Sequence, residues 1–283
     1  MTRIGFHCHD INDFDTVITS NGLQRGEFYN FPQDNLPQLK RKVAQQDLVA
    51  SVHAPLVRTP WYPTPPTLSF LCDVEPERRY LSMIMVEETM ALAEDFGAEY
   101  VVVHFPTPCL SNGGSADYAT LREIVWESAS RLVELSEKHR VPIHIEGFGP
   151  SPFLNAESLI EITTDFPQLR ICFDTGHMNI ASQRDSFDLY HFAHQIAPYI
   201  GSIHVWNTRS IEDYFTYLHI PAHPCQKPDE GWVDIPRVLD SILSANTSCS
   251  IIMESGTRYP KTLGEYDFRD GVKWVEELVA ELS

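Results

Sequence analysis

The chain lacks paired cysteines, long apolar runs and any excess of positive charge. Its six cysteines (Cys8, Cys72, Cys109, Cys172, Cys225 and Cys249) are scattered, with no C-x-x-C pair among them. No signal sequence is read ahead of them, so a disulfide framework is not expected and a reducing cytoplasm is the simplest compartment. No apolar run approaches the roughly 20 residues that a helix needs to cross a bilayer, which argues against membrane insertion. The 21 Lys and Arg face 39 Asp and Glu, a net charge of −18. Such a field repels polyanions and anionic membranes, so nucleic acid is disfavoured as a partner and a small molecule favoured. There is also no low-complexity tail or linker, so 1–283 reads as one domain.

What is present is an alternation of two periods. Short β-rich runs are read at Arg3 to Cys8, Glu27 to Phe31, Leu48 to His53, Glu99 to His104, Val141 to Glu146, Arg170 to Asp174, Gly201 to Trp206 and Ser250 to Glu254. Between them lie stretches of helical periodicity at 34–46, 76–96, 118–139, 155–166, 185–197, 233–245 and 262–282, with a short helix expected in the first gap. Eight such units in 283 residues predict an α/β fold of the (β/α)8 TIM-barrel type rather than an open sheet. Two stretches, Arg58 to Pro66 and Asn207 to Asp234, are rich in proline and aromatic residues and cannot be regular helix throughout.

The chemistry is concentrated at the run ends. Six of the eight end in a metal-ligand type: Ser-Val-His53-Ala-Pro, Val-Val-Val-His104-Phe-Pro, His-Ile-Glu146-Gly, Cys-Phe-Asp174-Thr-Gly-His177, Ser-Ile-His204-Val-Trp and Ile-Met-Glu254-Ser-Gly. All strand carboxyl ends of a parallel barrel open on one face, so these side chains converge. A single strand-end His or Glu is usually a hydrogen-bonded or ion-paired structural residue. Six in one mouth cost several kcal/mol each unless a cation compensates them. Imidazoles mixed with carboxylates, without cysteine, suit Zn, Mn, Fe or Co.

The other histidines divide by position. His7 and His9 flank the end of the first strand, and His144 reads as core. His139, His191 and His194, on helices or near their ends, read as solvent-facing. Of His219 and His223 in the long loop after the seventh strand, His223 is the better candidate for the mouth. Arg58, Arg209 and Arg258 closely follow strand ends, where a guanidinium could hold an anionic or hydroxylated substrate or simply neutralise a neighbouring carboxylate. Trp61, Tyr62, Trp206 and Tyr214 offer flat surfaces near the same opening.

The order His-Ala-Pro, His-Phe-Pro, Ile-Glu-Gly, Asp-Thr-Gly-His-Met-Asn, Ile-His-Val, Gly-Trp-Val-Asp-Ile and Ile-Met-Glu-Ser resembles the xylose isomerase-like barrel superfamily over nearly the whole chain. That superfamily includes sugar isomerases and epimerases as well as nucleases of the endonuclease IV type. Similarity to the ketose 3-epimerases implies one divalent metal on Glu146, Asp174, His204 and Glu254. The two glutamates would then also be the catalytic acid and base, and His177 and Arg209 would contact substrate. Arg58, Arg258 and Trp61 are further substrate-binding candidates. Similarity to endonuclease IV implies up to three zincs, with His53, His104, His177 and His223 as additional ligands. The nuclease pattern expects Asp-x-His before the Gly-x-Gly stretch, where this chain has Pro221-Ala-His223 and a longer gap.

The favoured activity is isomerisation or epimerisation of a sugar, sugar phosphate or related polyhydroxy carbonyl compound, by Glu-mediated proton transfer through a metal-stabilised enediolate. The alternative is a multinuclear phosphoesterase acting on a small phosphoester, with DNA disfavoured by charge. A binding protein on the same fold ranks last. The oligomeric state is not readable.

Overall fold

The structure, a computed structural model, describes residues 3–62, 65, 69–107 and 116–282. Cys109 and positions 63, 64 and 66 of the proline-rich stretch lie outside the described residues. Eight parallel strands close in sequence order into a barrel: β1 Ile4–Cys8, β2 Arg25–Phe28, β3 Val49–His53, β4 Val101–His104, β5 Ile143–Glu146, β6 Leu169–Asp174, β7 Ile200–Val205 and β8 Ser250–Met253. β8 pairs back onto β1 through Ile4 and Ile251.

Ten helices are found among the described residues. They are α1 Phe14–Val17, α2 Leu36–Gln45, α3 Pro76–Phe96, α4 Tyr118–His139, α5 Ala156–Asp165, α6 Thr175–Asp185, α7 Leu189–Ile196, α8 Ile211–Tyr217, α9 Ile235–Leu243 and α10 Phe268–Glu281. Their starts are written in side chains. Asp117 accepts from the Thr120 amide, Asn155 from Ser158, Asp188 from Tyr190 and His191, and Asp234 from Arg237, each satisfying first-turn donors that the helix leaves orphaned. In α9 the buried residues Ile235, Val238, Leu239 and Ile242 follow the 3.6-residue period and turn one apolar stripe to the barrel.

Strand alternation divides the interior in two. Ile4, Phe6 and Cys8, Ala50 and Val52, Val101 and Val103, Ile143 and Ile145, Ile171 and Phe173, Ile251 and Met253 all belong to the main core cluster, which packs against the helices. The residues between them point into the barrel. That inner set includes Val102, Cys172 and Ile252 and is crowned by polar side chains: His7, Glu27, His53, His104, Glu146, Asp174, His204 and Glu254.

A buried polar layer lies beneath the crown. His144 Nδ1 meets the Ser202 hydroxyl at 2.9 Å, and its ring stacks on Tyr100 with centroids 4.0 Å apart. A Cβ at Gly201 would stand 2.5 Å from the His144 ring, so only glycine lets the ring in. His144 is core, as expected. Burial pushes its pKa down to about 3, against about 6.5 in an unfolded chain. Because the folded value is the lower one, the unfolded state takes up the proton first, and stability is lost as pH falls through 6.5 towards 3. From pH 7 to 5 the wild type should therefore lose about 2 kcal/mol more than a His144→Gln variant. Urea unfolding at the two pH values checks this, and equal losses would remove His144 as the cause.

One surface expectation is corrected. His139 is buried at the end of α4, with Nδ1 2.9 Å from the Glu94 carboxylate on α3. Its ring is apolar enough to be covered, while one edge ties the two helices together. His191 and His194 are exposed, as expected.

Candidate metal centre

Asp174 ends β6 and at once caps α6, which begins directly behind it. Its Oδ1 accepts from the His177 amide at 2.6 Å, and its Oδ2 accepts from the Trp206 indole at 2.7 Å. Trp206 lies flat where a Cβ at Gly176 would come within 2.3 Å of its ring. The glycine of Asp-Thr-Gly-His is thus a packing requirement that fixes the turn carrying both Asp174 and His177.

Glu146, Asp174, His204 and Glu254 are all buried, and one ligand atom from each lies within 4.8 Å of the others. His204 Nδ1 is 3.0 Å from Glu254 Oε2, 3.6 Å from Glu146 Oε2 and 4.0 Å from Asp174 Oδ2. His204 Nδ1, Glu254 Oε2 and Glu146 Oε1 nevertheless have no hydrogen-bond partner. Electron-pair donors converging at such separations without bonding one another have the spacing of ligand atoms around a common ion.

The electrostatics agree. Burial, then Glu254 and Glu146, holds the Asp174 carboxyl well above the usual range. Burial alone would lower His204, but Cys172, Glu27, Glu254 and Glu146 raise it well above an ordinary imidazole. Burial opposes ionisation of Glu146 and Glu254 too, yet neighbouring histidines, His104 and His204 for the first and His204 and His219 for the second, hold both well below the usual range. Without a cation the cluster must hold protons to balance its own charge, and a divalent ion could supply that missing charge.

Each glutamate is steered by histidine. His7 Nδ1 lies 3.1 Å from Glu254 Oε1, and His53 Nε2 lies 3.1 Å from Glu146 Oε2, with His104 Nε2 at 3.4 Å from the same oxygen. His53 Nδ1 donates to the Ala54 carbonyl, which fixes the ring with Nε2 facing Glu146. His53, His104 and Glu146 thus form a second ligand-like group sharing Glu146 with the first.

A cavity of about 90 Å³ opens above these groups, lined by His7, Tyr29, His53, His104, Phe148, His177, Tyr214, His219 and Glu254. The structure brings His177 here, with Nε2 3.9 Å from Glu146 Oε1, and burial pushes its pKa down to about 3. It does not bring His223, which stands apart beside Tyr259 and Tyr266 and accepts the Cys225 amide on Nδ1. His219 occupies the mouth instead. Its ring stacks on Trp206 with centroids 4.1 Å apart, and its Nδ1 donates to the Glu254 carbonyl.

The arginines also lie elsewhere. Arg209 is committed to Asp213 in a two-pronged pair at 2.5 and 3.0 Å and covers Trp232. Arg58 and Trp61 line a separate groove of about 980 Å³ against Met85, Glu88 and Leu92 of α3. Arg258 is exposed on a neighbouring cavity of about 400 Å³, which touches the mouth only through His7.

Sequence reasoning named His7 and His219 without ranking them as site residues, and missed Glu27. The signal for Glu27 was a carboxylate inside a wholly buried strand, Arg-Gly-Glu-Phe.

Fold and site together define a (β/α)8 barrel whose carboxyl-end mouth holds a ring of histidines and carboxylates. A family model described as xylose isomerase-like TIM barrel matches residues 9–278, and the chain belongs to that family. Among solved structures it is similar to a D-tagatose 3-epimerase-like protein, at 17% identity and a TM-score of 0.74 over 99% of this chain and 98% of that one. It is similar also to an L-ribulose 3-epimerase, at 16% identity and a TM-score of 0.69 over 100% and 96% of the two chains. A third is a xylose isomerase-like TIM barrel protein from Mycobacterium smegmatis in complex with magnesium, at 13% identity and a TM-score of 0.58 over 94% and 87%. A search of curated proteins finds no match. No helix among the described residues is long and apolar enough to cross a membrane.

Proposed function

We propose that the chain is a divalent-metal-dependent isomerase or epimerase of a small polyhydroxylated carbonyl compound, with Glu146 and Glu254 as its acid and base. The observation that carries this reading is the convergence of four buried ligand atoms from Glu146, Asp174, His204 and Glu254 in a pocket short of positive charge. The similarity to a D-tagatose 3-epimerase-like protein, to an L-ribulose 3-epimerase and to a protein in complex with magnesium supports it. Zinc, manganese and cobalt suit the same donors.

A divalent ion held there would supply the positive charge that acidifies a proton beside a carbonyl and steadies the oxygen as charge develops on it. The rest falls to side chains. Glu254 directly follows β8 and Glu146 ends β5, with two strands between them, so they can address a substrate in the mouth from different sides. One takes the carbon-bound proton and the other returns a proton. His177, a neutral imidazole, and His219, whose Nδ1 is tied to the Glu254 carbonyl, orient substrate hydroxyls. Phe148 and Tyr214 narrow the mouth against water.

A second reading rests on the His53, His104 and Glu146 group, which with the first set would hold two ions sharing Glu146, as a hydrolase of a small phosphoester requires. Metal counting separates the two. The isomerase reading expects one tightly held ion per chain and incorporation of solvent deuterium beside the carbonyl of a ketose substrate in heavy water. Two or three ions, with phosphate release from a sugar phosphate and no deuterium incorporation, would overturn it.

A further inference from the structure

Behind the metal-side histidine lies a carboxylate that no sequence motif marks. Glu27 sits on β2, in register between His7 of β1 and Ser51 of β3, and is fully buried inside the barrel. A carboxylate in such a place costs several kcal/mol unless something compensates it. The Ser51 hydroxyl donates to Oε2 at 3.3 Å, which is too little for an ionised group. The main partner is His204, whose Nε2 lies 2.9 Å from Oε1. The contact is an ion-pair approach short of regular hydrogen-bond geometry, and neither atom has a hydrogen-bond partner elsewhere. The Cys172 thiol also neighbours His204, but it is a weak acceptor beside a carboxylate.

We infer that Glu27 is the positioning residue of this centre: its carboxylate claims the single proton of the neutral His204 ring on Nε2, leaving the Nδ1 lone pair for the metal. The inference rests on the metal reading proposed above and goes a step behind it. The two ring nitrogens already face opposite ways, Nε2 towards Glu27 and Nδ1 towards Glu254, Glu146 and Asp174 at 3.0, 3.6 and 4.0 Å. A histidine ligand that donates its other N–H to a carboxylate is fixed in tautomer and ring orientation and is the more basic donor. Glu27 touches neither the ion nor the substrate.

The test is metal affinity, measured by competition with a chromophoric chelator, beside the melting temperature of the metal-free protein. Glu27→Gln keeps the volume and an acceptor but loses the charge, and it is expected to weaken metal binding roughly 10- to 100-fold. The visible spectrum of the cobalt-loaded variant should shift, because a less basic imidazole alters the ligand field. A purely structural Glu27 would lower the melting temperature and leave affinity and spectrum unchanged, which overturns the inference.

A measurement on the intact wild type stands beside the variant, in case the variant does not fold. In the zinc-loaded protein, long-range proton–nitrogen spectra, assigned with His204→Gln, should show the ring protonated on Nε2. Protonation on Nδ1 would overturn the inference. A wild-type chain that binds no divalent metal defeats the underlying reading. A wild type that binds metal no better than Glu27→Gln defeats only the role of Glu27.

Discussion

Glu146→Gln and Glu254→Gln are each expected to slow proton exchange at the substrate carbon by about a thousandfold. Glutamine keeps the volume and one acceptor oxygen of the buried side chain but cannot take up a proton, so the loss should fall on kcat far more than on KM. Both carboxyls are held well below the usual range by imidazoles, Glu146 by His104 and His204 and Glu254 by His204 and His219. His7 steers Glu254, and His53 with His104 steers Glu146. Exchange of solvent deuterium into a panel of ketoses, followed by NMR, is the direct readout. A variant that retains exchange within tenfold of the wild type removes that glutamate from the acid–base assignment.

Stripping divalent metal with a chelator should abolish activity and lower the melting temperature. Restoring manganese, cobalt or zinc at a hundred times the dissociation constant contributes about 2.7 kcal/mol of stability, a rise of about 5 °C or more for a chain of this size. The effect should strengthen with pH. In the metal-free site Asp174 and His204 are both held well above their usual pKa values, so each keeps its proton to higher pH than usual, and an incoming ion must displace it. Each displaced proton strengthens apparent affinity about tenfold per pH unit until the group titrates. Asp174→Asn should lose most of the metal-induced shift. A full shift in that variant, or no shift in the wild type with any of these metals, would refute the four-residue ligand set.

The sequence disclosed most of this because two periodicities coincide. In a strand whose odd or even residues alone face the barrel, the last inward residue must stand at the mouth, so His53, His104, Glu146, Asp174 and His204 are legible as a group in the sequence. α3 and α4 were read at their observed bounds because their apolar stripes are long and their ends are capped by Gly97 and Asp117.

Where the reading slipped, a local signal was ambiguous. The second strand was read at 27–31 and runs Arg25–Phe28. The error put Glu27 at the wrong end of the strand and hid that it faces His204. In the loop after β7 the sequence favoured His223 over His219 for the mouth, and the structure reverses that order, because the loop's path depends on packing. Asn207 bonds Gln226 and the Val233 carbonyl, and Ile220 pairs back onto Asn207. That arrangement delivers His219 to the mouth and carries His223 away to the Tyr259 and Tyr266 side. Arg209 could not be placed by strand position either, since its partner Asp213 lies one helical turn further along α8.

The chamber above the acids, at about 90 Å³, is lined by two aromatic rings, Phe148 and Tyr214 of α8. Their bulk limits what can lie beside the acids, so the choice of guest belongs as much to these two rings as to the carboxylates beneath them.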